Sequence, residues 1–335
     1  MGDSRSRYVS IQILRIIACF GVFCVHFGQR VDLSGRVRIV TDFGRYGVQL
    51  FFIISGFLAA KGLINREVKA GKYYYKRAVH ILPLYFLSIL YFFITENFLE
   101  QYLHQIPTDT IGLGWIRYLL FLNGFVNSDT YFWSNLGITW TIPVFVFFYI
   151  TAPIALKRIH SFSSACIVTV AVFLLTKEAS ELYWCSILEN TYIFYIGVIA
   201  YCAIEFGYGI PVVLVFQMIA VVMSVFNKTN YVYVLMFSSI VILLVMLENR
   251  LNLPEKILKC IDYIDQRTYT LYLVHGMVFC SFIDRLYLFE TSLWLKGVLA
   301  ITLSVVGTIL IYRFYERPIQ KWLMKIGKEW AKILP

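Results

Sequence analysis

RIIACFGVFCVH, residues 15 to 26, places a guanidinium and an imidazole at the two ends of a stretch that is otherwise hydrocarbon-seeking. Eleven residues advance an α-helix by about three turns and roughly 16 Å with little residual rotation, so Arg15 and His26 fall on nearly the same face. A span with one polar stripe points that stripe at a bundle interior, a partner or water, because a charge facing lipid is costly. The fold class therefore turns on whether the rest of the chain repeats this apolar pattern.

Hydrophobic residues make up 59% of the chain and charged residues 15%, against roughly 45–50% and 25% for an ordinary soluble domain. Apolar blocks of about 17–23 residues recur, the length that crosses a hydrocarbon core of about 30 Å. Candidate spans fall near residues 8–28, 47–64, 79–95, 138–156, 163–176, 189–205, 210–225, 231–247, 268–288 and 293–314, the fifth being the shortest. WIRYLLFLNGF, from Trp115, is too short and too punctuated to cross alone and reads as an interfacial or re-entrant piece. The expectation is an all-α polytopic membrane protein with about ten transmembrane helices, forming one transmembrane domain over residues 1–335, with no separate soluble domain. Arg5 and Arg7 precede the first block, but that block is too long for a signal-peptide core, contains Arg15 and lacks an A-x-A cleavage site, so it reads as a retained span.

The net charge of +10 raises the question of nucleic acid. The basic residues flank hydrophobic blocks rather than forming a patch interleaved with aromatics, which argues for membrane topology instead. With the N-terminus in the cytoplasm, Arg66, Lys69, Lys72, Lys76, Arg77, Lys157, Arg158, Lys256, Lys259 and the Lys-rich tail after Arg317 share that side. The positive-inside rule then favours N-in and C-in, although Arg30, Arg36, Arg38 and Arg45 in the first outer loop blunt the asymmetry. Seven scattered cysteines with no C-x-x-C pair read as core hydrophobes and imply no metal site.

Arg15 is a functional candidate by its depth; the alternative is a structural arginine that pairs with carbonyls or snorkels to the inner interface. A histidine near an interface is cheap, and it is the face shared with Arg15 that singles out His26. At this point the chain resembles a known family. R-x10-H on the first span, followed by GRYGVQLFFIISGFL from Gly44 to Leu58, is similar to the acyltransferase-3 family of integral-membrane O-acyltransferases. KRAVHILPLY, Lys76 to Tyr85, resembles that family's R-x-x-R-I-x-P-x-Y; LFLNGF with WTIPVFVFFY, Trp140 to Tyr149, resembles its W-[ST]-L-x-x-E-x-x-F-Y. TYTLYLVH, Thr268 to His275, and YERP, Tyr315 to Pro318, resemble its late motifs, so the ordered set covers nearly the whole chain. Two positions depart from the pattern: Phe145 stands where the family has a glutamate, and His80 where the basic motif repeats its arginine.

The resemblance implies transfer of an acyl group, usually acetyl, from cytoplasmic acetyl-CoA to a carbohydrate hydroxyl. The acceptor it suggests is a surface polysaccharide (O-antigen, lipooligosaccharide, capsule or exopolysaccharide) or its lipid-linked precursor, modified in a bacterial inner membrane. The chemistry agrees with the residues. A sugar hydroxyl needs a base at neutral pH, and the imidazole of His26 titrates in the right range; a two-step route would acylate His26 first. Arg15 is suited to an oxyanion, but three turns separate it from His26, so gripping the donor's pantetheine or phosphates fits it better. Lys72, Lys76 and Arg77 form a landing site for those phosphates or simply obey topology, with Arg77 favoured because it fills the motif. Ser55, with Gly56, allows close approach of a ligand or, more simply, of another helix. His275 reads as a structural hydrogen bonder or a substrate contact, Glu316 as an interfacial anchor or part of the donor site, and Trp140 and Tyr149 as sugar-path stacking or aromatic belt. The rival class is a transporter or flippase for a lipid-linked glycan, which intramembrane Arg and His suit equally, although no two-halved repeat is visible. A catalytically silent family member is the third reading, which Phe145 keeps open.

Overall fold

The computed structural model describes residues 8–30, 33–95, 114–125, 139–183, 185–283 and 292–333, and every regular element among them is helical. In chain order the α-helices are α1 (Val9–Arg30), α2 (Gly35–Asp42), α3 (Gly47–Leu63), α4 (Ala70–Ile94), α5 (Gly114–Leu119), α6 (Thr141–Leu156) and α7 (Phe162–Leu182). They continue as α8 (Ser186–Glu205), α9 (Gly209–Val225), α10 (Thr229–Met246), α11 (Glu255–Asp265), α12 (Thr268–Val278), α13 (Leu293–Ile311) and α14 (Arg317–Ile333). Short π-helical turns follow α12, at Phe279–Ile283, and α13, at Tyr312–Glu316.

Each predicted span coincides with helix where it is described, residue 138 and the end of the span expected at 268–288 lying outside the described residues, and the protein is an all-α polytopic membrane protein. Seven helical stretches are individually long and apolar enough to cross a bilayer; α6 and α9 are apolar but shorter. The span expected to be shortest, 163–176, is a 21-residue helix, α7, started by a capping box between Ser161 and Ser164. Its end runs into TKEASEL, which counting apolar residues does not recognise as helix but which contains good helix formers. The same limitation misplaces the start of the third span. Expected at 79, α4 begins at Ala70, so Lys72, Lys76 and Arg77 lie on the helix rather than in a loop. The stretch from Trp115 forms only α5 and a 3-10 turn at Leu122–Gly124, in keeping with a piece that does not cross alone.

The centre of the bundle is α3, whose Phe52, Ile53, Ile54, Phe57, Ala59 and Ala60 are fully buried. It packs against α1, α6, α8 and α10. Its contact with α8 is a backbone crossing through two glycines: a Cβ on Gly56 would stand 1.9 Å from the Phe194 carbonyl oxygen, and one on Gly197 would stand 2.0 Å from that of Ile53. The packing role expected for Gly56 is therefore its role. Pro83 sits inside α4, where it removes a helical hydrogen bond. Beside it, two carbonyls take tertiary partners, Tyr269 donating to Ile81 at 2.9 Å and Tyr315 to Pro83 at 3.0 Å, which ties α4 to α12 and to the turn before α14. At the periphery, Leu214, Met218, Val221 and Val225 of α9 are exposed, as lipid-facing side chains are in a helix that satisfies its backbone internally.

Candidate active site

A cavity of about 790 Å³ opens where α1, α3, α4, α6, the α11–α12 junction and the start of α14 converge. Its charged lining comprises Arg15, Lys61, Arg77, Asp265, Glu316, Arg317 and Lys321. Arg15 lies on the first third of α1 because the motif places it there, and the structure gives it a partner that the sequence reading missed. Its guanidinium forms an ion pair with Asp265, the last residue of α11. The Asp265 side chain is 3% exposed and that of Arg15 34%, so the pair sits at the cavity wall with the carboxylate behind the cation. Gln12, one turn earlier on α1, donates to Asp265 Oδ2 at 3.2 Å and to Asp262 Oδ1 at 3.1 Å. Burial pushes the Asp265 carboxyl above its ordinary range, with Arg15 pulling the other way. The signal for Asp265 was present in the sequence as an acid three residues before the TYTLYLVH motif, but its helix is amphipathic and too short to register as a span.

The three basic candidates of the third span separate. Arg77 lines the cavity, its guanidinium 4.6 Å from the Tyr149 ring centroid and 5.3 Å from that of Tyr73. Lys72 and Lys76 are exposed and lie outside the lining, so the landing site expected of all three keeps only Arg77. The cations that replace them are Lys61, which sits 3.8 Å over the Tyr8 ring, and Arg317 and Lys321 on α14. Those last two read in the sequence as a basic tail. Phe145 also lines the cavity and stacks on Tyr149 at 6.1 Å. Where the family pattern has a carboxylate, this chain has a phenyl ring behind the tyrosine over which Arg77 sits, a cation–π contact.

Ser55 faces the cavity while its neighbour Gly56 faces α8, so adjacent residues serve a wall and a packing seam. Glu316 is buried at the lining, accepting from the hydroxyl of Thr270 and from Gln320 Nε2 at 2.9 Å. Trp140 stands off the cavity and packs edge-on against Phe52, 6.3 Å between centroids.

His26 and His275 do not line this cavity; they form a second layer directly behind it. The link is Tyr272, which lines the cavity, shares a 2.7 Å hydrogen bond with the Thr141 hydroxyl, and has its ring 5.8 Å from that of His275. The His275 ring is in turn 5.3 Å from that of His26, centroid to centroid. Phe23 and Phe279 wall the His275 ring at 6.1 and 5.5 Å. One helix thus delivers a guanidinium to a charged cavity and an imidazole to an aromatic layer, with a tyrosine between. Such an arrangement can hold an anionic, elongated ligand by its charged end and present the other end to a base.

A protein family described as an acyltransferase domain matches residues 8–313 of the chain. Nodulation protein 10 of Rhizobium leguminosarum bv. viciae is 29% identical over 162 residues, a stretch that covers 44% of this chain and 42% of that protein. The chain thus matches less than half the length of that relative, and no solved structure matches it. By the match across nearly its whole length, the chain belongs to the acyltransferase-3 family of integral-membrane acyltransferases.

Proposed function

We propose that the protein is an inner-membrane O-acetyltransferase that moves an acetyl group from cytoplasmic acetyl-CoA to a hydroxyl of a surface polysaccharide or its lipid-linked precursor. The observation that carries this reading is the two-layer site: a cavity with Arg15, Lys61, Arg77, Arg317 and Lys321 in its wall, closed at depth by Tyr272, with His26 and His275 immediately beyond. Coenzyme A is a long molecule with phosphates at one end and a thioester at the other. Guanidinium forks and ammonium groups suit the phosphates, and positive-inside topology puts them on the cytoplasmic side where the donor is made.

In this reading His26 is the general base. It takes the proton of the acceptor hydroxyl as that oxygen attacks the thioester carbonyl, the C–S bond breaks, and the proton passes to the departing thiolate, leaving an ester and free coenzyme A. A base in an aromatic layer works where water competes poorly for the thioester, which limits hydrolysis. Arg15 belongs with the donor in this scheme, since its guanidinium is held by Asp265 in the outer layer.

The test is His26→Ala in the producing cell, with mass spectrometry of the surface glycan. Loss of the acetyl mass with the glycan still at the surface supports the reading. Loss of the glycan itself points to a flippase, and an unchanged acetyl content sinks the assignment.

A further inference from the structure

We propose that His275 is a positioning residue for His26: its Nε2 receives the ring N–H of His26 and so fixes which nitrogen of His26 is free to act as base. The proposal rests on the acyl-transfer reading above.

The argument is one of donors and acceptors. A neutral imidazole has one N–H and one lone pair. His275 Nδ1 lies 3.0 Å from the carbonyl oxygen of Leu271, which can only accept, so Nδ1 carries the hydrogen and the lone pair is on Nε2. That Nε2 is buried and has no hydrogen-bond partner among the described residues, in a residue that is 1% exposed. A buried acceptor left unpaired is costly, so its retention calls for an explanation. Around the His275 ring stand Phe23, Phe279 and Tyr272, whose hydroxyl is engaged with Thr141, and His26. Of these rings only His26 offers an N–H. The two imidazoles are 5.3 Å apart with planes inclined at 31°. No hydrogen bond joins the two rings as they stand, but a 5.3 Å separation is short enough for a turn of the His26 ring to bring its N–H to Nε2. Hydrogen bonds of a catalytic pair are often loose in the resting enzyme and close when substrate arrives. Gln29, exposed on the next turn of α1, also hydrogen-bonds to His26, but a carboxamide can donate or accept and so serves either tautomer, which leaves the choice between them to His275. The geometry is that of a base held by a third group, with a neutral ring in place of a carboxylate. His275 exchanges no net proton; it selects the tautomer.

Two substitutions separate this role from a structural one. His275→Asn keeps a donor for the Leu271 carbonyl and removes the acceptor at the Nε2 position; His275→Gln places an amide oxygen near that position. Membranes carrying each full-length variant are supplied with radiolabelled acetyl-CoA, and membranes from cells lacking the gene serve as acceptor. The expected result is a loss of about 100-fold in maximal rate for His275→Asn, with KM for acetyl-CoA unchanged, and recovery of at least about tenfold of it by His275→Gln. A wild-type rate for His275→Asn overturns the proposal, as does equal impairment of the two variants. His26→Ala runs alongside: if it transfers at the wild-type rate, the acyl-transfer reading itself fails, whereas an inactive His26→Ala beside a fully active His275→Asn removes only this inference.

Discussion

Arg15 and His26 share one face of one helix, yet their surroundings differ in kind. Arg15 has a buried carboxylate against it, a glutamine bridging that carboxylate to Asp262, and a cavity of about 790 Å³ in front. His26 has a second imidazole beside it, itself walled by Phe23, Phe279 and Tyr272. The difference teaches that the polar stripe serves two compartments rather than one site. Charge is gathered around the guanidinium, and aromatic rings are gathered around the imidazole.

The strongest way to break this contrast is at the Arg15 end. Asp265→Ala leaves a guanidinium without its counter-ion, a loss that costs about 3–5 kcal/mol in a fully buried pair and less here because the cavity side of Arg15 is open to screening. The expected outcome is a large fall in apparent melting temperature in detergent, with Arg15→Ala/Asp265→Ala recovering part of it. Strict additivity of the two single changes in that double-mutant cycle would show that the pair is not coupled.

The packing seam behind the cavity carries the next effect. Gly56→Ala forces a methyl group onto the Phe194 carbonyl oxygen, and overpacking of this kind costs about 1–3 kcal/mol. Ser55→Ala, one residue away, changes only the cavity lining and leaves thermal stability where it is. Equal melting temperatures for the two variants would contradict the placement of these neighbours on opposite faces.

A smaller effect sharpens the division among the cations. Arg77→Ala is expected to raise KM for acetyl-CoA about tenfold at unchanged kcat, the signature of lost uniform binding. It should leave KM for acetyl-pantetheine, which lacks the nucleotide phosphates, unchanged. Lys76→Ala should change neither, because Lys76 is exposed outside the cavity. An equal rise for both donors would place Arg77 against the pantetheine arm instead.

Much of this was readable in the sequence because membrane solvation writes its demands into runs of residues. Apolar blocks located the spans seen among the described residues, and the eleven-residue spacing put Arg15 and His26 on one stripe. What stayed hidden depends on tertiary contact. Asp265 and Lys321 belong to amphipathic helices that look like loop and tail when only apolar runs are weighed. Lys72, Lys76 and Arg77 look alike in composition, and only the turn of α4 sends one inward and two outward. Ser55 and Gly56 could be told apart only by knowing which helix crosses behind them. His275 was visible as a polar residue in a span, but its free acceptor nitrogen follows from the single carbonyl at Leu271, which no motif records.

The smallest effect falls on the join between compartments. Tyr272 and Thr141, both in the cavity lining, share a hydroxyl–hydroxyl bond of 2.7 Å, and the Tyr272 ring also touches that of His275, so this pair is taken as the cavity floor. Tyr272→Phe keeps the ring in contact with His275 and removes that bond, a change of about 1 kcal/mol. If the bond only holds the floor in place, stability drops by that amount and the transfer rate barely moves. If the floor must part for the thioester to reach His26, the same substitution weakens the closed form and raises the rate of acetyl-CoA hydrolysis in the absence of acceptor, because water then enters the inner layer with the donor. Tyr272→Trp tests the opposite direction by filling the opening, and it should slow transfer without loosening Arg15 from Asp265. Measured together, hydrolysis and transfer decide whether the two compartments are separated by a fixed wall or by a door.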